Sequence, residues 1–121
     1  MQIKSGVIMA GLRLPMRRVL IEAQKILLLM DKELVVTSAL DGKHSAGSLH
    51  YYGYALDFRT RHLEDKEVEK FADNLFQRLS SNYRVIRHST HLHVEYRGKI
   101  DGSLSTSLSS KCLVLKSSAY P

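Results

Sequence analysis

The chain has 121 residues, of which 44% are hydrophobic and 25% charged, as is typical of one soluble globular domain. Its formal net charge of +6 favours polyanionic partners, whether nucleic acid, anionic lipid or an anionic cell wall, and does not choose among them. Because Cys112 is the single cysteine, an intramolecular disulfide and a cysteine-rich zinc site are both excluded.

The N-terminal region lacks a convincing secretory signal. Its short apolar patch, Val7 to Leu12, is preceded by Lys4 and followed closely by Arg13. The run Ile26 to Met30 is too short to span a bilayer. We therefore expect a protein that is made in the cytoplasm and has no membrane span, which leaves open where it acts.

Two amphipathic helices are predicted. The first begins at Pro15, whose missing N–H suits a first helical turn, and ends near Asp31 or Lys32. The second covers Glu64 to Leu79, and acidic residues in its first turn suit the helix dipole. Their apolar stripes are Met16, Val19, Leu20, Ala23, Ile26, Leu27 and Met30 in the first helix, and Val68, Phe71, Ala72, Leu75 and Leu79 in the second.

The remaining apolar segments predict strands, and the whole predicts an α+β domain over residues 1–98. Its helices should pack on one face of a mainly antiparallel sheet. The Ser-rich residues 99–121 are expected to form a loosely held, partly disordered tail, in which Cys112 to Leu115 is a candidate edge strand. The predicted strands are Glu33–Ala39, Tyr54–Thr60, Asn82–Ser89 and His91–Arg97.

Two of these strands alternate between apolar and polar residues. In the second strand, Asp57 lies on the face opposite the apolar side chains. In the fourth, His91, His93 and Glu95 share one face, and the apolar side chains occupy the other. Each strand thus has a core face and a polar face, and the polar faces carry candidate metal ligands.

The spacing of these polar residues suits a metal site. His50 and Asp57 are seven residues apart, and the pair His91-Leu92-His93 comes later in the chain. A catalytic zinc ion takes imidazole and carboxylate ligands, three from the protein, with one position left open. Taken singly, each residue is more often a surface or ion-paired group. Their combination favours one ion bound by His50, Asp57 and His93.

The same residues resemble a known family. The pattern Ser-x-His-x-x-Gly-x-Ala-x-Asp at residues 48–57, preceded by Asp41-Gly42-Lys43-His44 and followed by His91-Leu92-His93, is similar to the zinc D-alanyl-D-alanine peptidases. It is equally similar to the amino-terminal signalling domain of hedgehog proteins. Small phage and prophage cell-wall peptidases belong to this group and are similar in size. The resemblance covers roughly residues 33 to 97.

The resemblance implies a role for each histidine of the motif. His50, Asp57 and His93 would bind one zinc ion on the sheet face opposite the helices. His91 would stand beside the open coordination position and steady the zinc-activated water or the oxyanion. His44 matches a histidine that lines the same pocket in the hedgehog-like branch.

The proton-transfer group departs from the family pattern. Several peptidases have a glutamate three residues before the last ligand histidine, where this chain has Thr90, and the hedgehog branch has one six residues before it, at Arg87. Another branch has a histidine at the position of His88. We therefore expect His88 or His91 to carry the acid–base chemistry, since an ordinary histidine pKa near 6.5 suits proton transfer at neutral pH. The alternative for His88 is an exposed strand residue.

Supporting and substrate-binding residues are also predicted. Glu95 should accept an N–H from a ligand imidazole, with an ion pair to Arg97 or Arg59 as the alternative. The carboxypeptidase branch binds its substrate's terminal carboxylate with an arginine before the metal motif, and Glu33 to Asp41 contains none. This favours an endopeptidase, in which Arg59 and Ser48 are candidate substrate-binding residues. The alternative for Arg59 is a solvent-facing charge.

Three functional hypotheses follow. The first is a zinc peptidase that cuts the peptide stems or cross-links of peptidoglycan, similar to a phage endolysin and delivered by a holin or within a virion. The second is a non-catalytic zinc-binding module of hedgehog-like fold, which the missing glutamates favour. A nucleic-acid-binding domain rests on the charge alone, because no zinc-finger spacing, aromatic platform or basic helix is evident. The sequence does not indicate an oligomeric state.

Overall fold

The structure is a computed structural model that describes residues 1–41, 48–50, 52–98 and the strand at 114–116. These residues form an α+β arrangement, as predicted. The elements in chain order are β1 (Gln2–Ile3), α1 (Leu14–Leu29), β2 (Val35–Ser38), β3 (Ala55–Arg59), α2 (Asp65–Arg78), β4 (Tyr83–Arg87), β5 (His91–Tyr96) and β6 (Val114–Lys116).

Both predicted helices are present, and local features of the chain set the end of the first and the start of the second. α1 ends two or three residues earlier than expected because Asp31 adopts a left-handed conformation, with φ of 60°. Aspartate tolerates that conformation better than most residues. At the start of α2, the backbone N–H of Glu64 donates to the carboxylate of Glu67 at 2.8 Å, which satisfies a donor that the helix leaves unpaired.

The described strands form one mixed sheet in the order β1-β2-β3-β5-β4-β6. Its centre is antiparallel, as predicted, because β3 pairs with β2 and β5, and β5 pairs with β4. Both edges are parallel: β1 pairs with β2, and β6 pairs with β4. β1 was not predicted, because its two exposed residues carry no alternation.

The hydrophobic core lies on one face of this sheet. Leu56 and Phe58 of β3, and Leu92 and Val94 of β5, are fully buried against apolar residues of both helices. This confirms the predicted core face of each strand. Burial of each large side chain contributes roughly 1.5–3 kcal/mol. The opposite face is therefore left to the polar side chains of β3 and β5.

Some of the predictions concern residues that the structure does not describe. His44 and most of the predicted tail lie outside them. The edge strand expected at Cys112 to Leu115 is found at Val114–Lys116. Neither described helix has the length and apolar character needed to cross a bilayer.

Candidate metal centre

Strands β3 and β5 bring Asp57 and His93 together. The two residues are direct partners in the antiparallel register, so their side chains project from the same face as close neighbours. The flanking pairs on that face are Ala55 with Glu95 and Arg59 with His91. The alternation in the sequence therefore identified the right face.

His50 reaches this face from the segment that precedes β3. The N–H of Tyr54 donates to the carbonyl of Leu49 at 2.9 Å, and the N–H of Gly53 donates to the carbonyl of His50 at 3.1 Å. Gly53 has φ of 80°, a left-handed conformation that glycine adopts without strain. This tight turn leaves the side chain of His50 only 3% exposed and directed at β3 and β5.

Three ligand atoms converge at the centre of the cluster. Oδ1 of Asp57 lies 2.8 Å from Nδ1 of His93 and 3.3 Å from Nε2 of His50. The two nitrogens are 3.2 Å apart. Zinc–nitrogen bonds of about 2.0–2.1 Å in a tetrahedral site require ligand atoms roughly 3.3 Å apart. The cluster is thus slightly contracted from the spacing that one zinc ion requires, and its chemistry fits that ion.

Hydrogen bonds fix which nitrogen each ring presents. Nδ1 of His50 lies 2.6 Å from the carbonyl oxygen of Ala39, which can only accept, so Nδ1 donates and Nε2 carries a lone pair. Nε2 of His93 lies 2.8 Å from a carboxylate oxygen of Glu95, so Nε2 donates and Nδ1 faces Asp57. With neutral rings, two lone pairs and one carboxylate oxygen would face one another. Such an arrangement requires a cation, either a metal ion or a proton.

The pKa values of His93 and Asp57 also indicate that the cluster favours a positive charge. Burial lowers the pKa of His93, but hydrogen bonds to Asp57 and Glu95 overcome this effect and raise it to about 9. Burial raises the pKa of Asp57, but its close contacts with the His50 and His93 rings lower it well below its usual range. A proton on His93 therefore satisfies the cluster when no metal is bound. A metal ion would have to displace that proton.

Glu95 contacts both His93 and Arg97, the two interactions of its carboxylate that were predicted as alternatives. One oxygen accepts from His93, and the other lies 3.1 Å from Nη1 of Arg97 and 3.6 Å from Nη1 of Arg84. Burial raises the pKa of Glu95, but the hydrogen bond from His93 and the two arginines lower it overall. The buried carboxylate therefore stays ionised and holds His93 in one orientation.

The two candidate proton-transfer histidines lie beside the cluster. Nε2 of His91 is 4.0 Å from Oδ2 of Asp57, and its Nδ1 is 3.1 Å from the hydroxyl of Thr90. The rings of His88 and His91 are 4.6 Å apart, and that of His88 is 6.4 Å from His93. Burial lowers the pKa of both His88 and His91. His88 is half-buried in the turn after β4, not an exposed strand residue, because β4 ends at Arg87.

The other predicted site residues occupy varied positions. Arg59 is exposed and pairs in register with His91, on the side of the cluster where His91 lies. Ser48 is half-buried, and its hydroxyl accepts from the N–H of His50 at 3.2 Å, so it shapes the turn that carries His50. His44 lies outside the described residues.

Several contacts of the site involve residues to which the sequence analysis assigned no role. They include the carbonyl of Ala39, the guanidinium of Arg84 and the hydroxyl of Thr90. The backbone carbonyl leaves no trace in the sequence. Arg84 could have been found, because it directly opposes Glu95 once the register of β4 and β5 is known.

No family model matches the chain, and no curated protein or solved structure does either. The resemblance described above therefore rests on the residue pattern alone. The geometry adds an independent observation, namely that the three residues of the pattern form one cluster of metal-binding dimensions.

Proposed function

We propose that this protein is a zinc-dependent peptidase that hydrolyses peptide bonds within bacterial peptidoglycan. The observation that carries the proposal is the convergence of His50, Asp57 and His93, two imidazoles and a carboxylate, within bonding distance of one ion. This ligand set is typical of catalytic zinc, where an open position remains for water or substrate. The motif resemblance supplies the reaction class.

The residues themselves would hold and orient the ion. His50 and His93 would bind through the nitrogens that the contacts to Ala39 and Glu95 leave available. When bound, zinc lowers the pKa of its water to about 7 and polarises a carbonyl group.

His91 is the best-placed residue for proton transfer. Its Nε2 lies near the carboxylate of Asp57, and Thr90 contacts its other ring nitrogen. Because burial lowers the pKa of His91, the ring is neutral at neutral pH and able to accept a proton. The adjacent ring of His88 provides a second acceptor at the edge of the site.

The substrate side of the proposal rests on charge. Arg59 is an exposed cation on the strand that carries Asp57, where it could bind a carboxylate of the peptide stem. The net charge of +6 suits an anionic wall. The lack of an arginine between Glu33 and Asp41 favours cleavage within the stem over removal of its last residue. We also propose that the protein reaches the wall through a holin or within a virion.

One observation favours a second candidate, a non-catalytic zinc-binding module. In the described part of the chain, the carboxylates that contact the histidines of the cluster are Asp57 and Glu95. Asp57 would bind the metal, and Glu95 is engaged by His93 and two arginines. Neither is available as the carboxylate base that many zinc peptidases use.

Digestion of purified peptidoglycan separates the two candidates. Zinc-loaded wild-type protein should release peptide fragments that mass spectrometry identifies, and His93→Ala should release none. His62→Ala is the matched control, because the ring of His62 bonds to the carbonyl of Glu33, away from the cluster. Zinc-loaded wild-type protein that releases nothing would reject the peptidase and favour the binding module.

A further inference from the structure

The carboxylate of Asp41 holds together two segments of backbone that are distant in sequence. Its Oδ1 atom accepts from the N–H of Ala39 at 2.9 Å and from the N–H of Ile8 at 3.0 Å. The N–H of Leu40 also donates to the carbonyl of Ile8 at 3.0 Å. Asp41 therefore fixes the chain immediately after β2 and fastens it to the N-terminal segment.

The peptide that Asp41 fixes is next to the candidate metal centre. The carbonyl of Ala39 accepts from Nδ1 of His50 at 2.6 Å, and Ala39 is fully buried. This hydrogen bond determines which ring nitrogen of His50 carries the proton and how the ring is oriented. The position of this backbone carbonyl depends on the contacts that hold the backbone of Ala39 in place.

We propose that Asp41 is a positioning residue for the metal centre. By accepting from Ala39 and Ile8, it holds the Ala39 carbonyl against His50, and so keeps Nε2 of His50 directed at Asp57 and His93. The inference rests on the metal-binding part of the proposed function and not on peptidase activity.

Substitutions of Asp41 can distinguish a geometric role of its side chain from an electrostatic one. If only the negative charge of Asp41 mattered, a longer acid at this position would serve equally well. If the placement of one acceptor oxygen matters, asparagine should serve, because its side-chain carbonyl occupies the same position as Oδ1. Glutamate, one methylene longer, should not serve although it keeps the charge.

The test is zinc affinity, measured by competition with a chelator of known affinity. Asp41→Glu should bind zinc about 10–100-fold more weakly than wild type, the loss typical when a group that orients a metal ligand is displaced. Asp41→Asn should stay within a few-fold of wild type. Asp73→Glu is the matched control, because Asp73 is an exposed aspartate of α2.

A second readout is the tautomer of His50 in the zinc-free protein, observed by nitrogen NMR. The proposal expects a single form protonated at Nδ1 in wild type and Asp41→Asn, and a mixture in Asp41→Glu. It is overturned if Asp41→Glu binds zinc as wild type does, or if Asp41→Asn loses as much affinity as Asp41→Glu. If the wild type itself binds no zinc, the metal-binding part of the proposed function fails, and this inference fails with it.

Discussion

His93 is held between two carboxylates, and this shapes the chemistry of the whole cluster. Its Nδ1 contacts Asp57 and its Nε2 contacts Glu95, both at 2.8 Å. Two buried anions around one imidazole stabilise a proton on it, which is why its pKa is raised to about 9 despite burial. A metal ion at this site would therefore compete with that proton for Nδ1 of His93.

The stability of the metal-free protein should consequently fall as pH rises. The pKa of His93 is about 9 in the folded protein and 6.5 for an unperturbed histidine, so the folded chain binds a proton that the unfolded chain releases between these values. The stabilisation is complete below pH 6.5 and lost as pH rises through 9, at most about 3 kcal/mol. Urea unfolding with a chelator present, at about pH 6.5 and 9, measures it.

The control for this measurement is Asp57→Asn, which removes one of the two hydrogen-bonded anions and should reduce the dependence, because Glu95 remains. His88 and His91 do not interfere, because their lowered pKa values affect stability below pH 6.5. Equal free energies of unfolding at the two pH values in wild type would contradict the assigned contacts of His93.

Glu95 should contribute to zinc affinity although it is not a ligand. Glu95→Gln keeps an acceptor for Nε2 of His93 but removes the charge that makes His93 a stronger donor to metal. We expect the zinc affinity to fall about tenfold, by chelator competition. Glu69→Gln, at an exposed position of α2, should change nothing. An unchanged affinity in Glu95→Gln would show that the contact does not tune His93.

At the scale of elements, the turn that carries His50 is fastened to the N-terminal segment. The N–H of Arg13 donates to the carbonyl of Gly53 at 2.9 Å, and its Nε donates to the carbonyl of Tyr52 at 3.2 Å. Gly53 approaches so closely that a Cβ there would lie 2.3 Å from the carbonyl oxygen of Gly11. This contact requires glycine.

Gly53→Ala should therefore destabilise the protein more than a comparable glycine substitution. Gly6 is the matched control, because it also has positive φ, 91°, but a Cβ added there would meet no described atom within 4 Å. Gly6→Ala should cost about 1–2 kcal/mol, for the left-handed backbone alone. Gly53→Ala should cost clearly more, because backbone must shift as well. Urea unfolding measures both, and equal losses would contradict the close contact with Gly11.

The periodic elements were predictable from the sequence, and the site face with them. Alternation placed Asp57 and His93 opposite the core residues of their strands, because a strand with one buried face must alternate. The helices were predicted within a few residues at each end. Boundaries shifted where a single residue ended an element, as Asp31 does after α1.

The supports of the site were not predictable, because they depend on contacts between distant, irregular segments. The bonds from Ile8 to Asp41 and from Arg13 to Gly53 join the N-terminal segment to both flanks of His50. Neither the two-residue strand β1 nor these loop contacts has a period that a sequence can display. The family pattern pointed to the ligands and gave no information about what holds them.

On the scale of the whole molecule, stability and chemistry occupy opposite faces of the sheet. The helices bury the apolar face, and the cluster lies on the other face with its charges mutually compensated. The described core therefore contains none of the candidate metal ligands. This division makes a metal-free form accessible to experiment and allows the site to be tested by adding metal back.

The central claim is that His50, Asp57 and His93 together bind one zinc ion, and anomalous X-ray scattering tests it most directly. Crystals of zinc-replete protein should be measured on both sides of the zinc absorption edge. They should show one anomalous difference peak within bonding distance of Nε2 of His50, Oδ1 of Asp57 and Nδ1 of His93. His50→Ala should lose that peak. Zinc-replete wild-type crystals with no anomalous peak between these three side chains would contradict the claim.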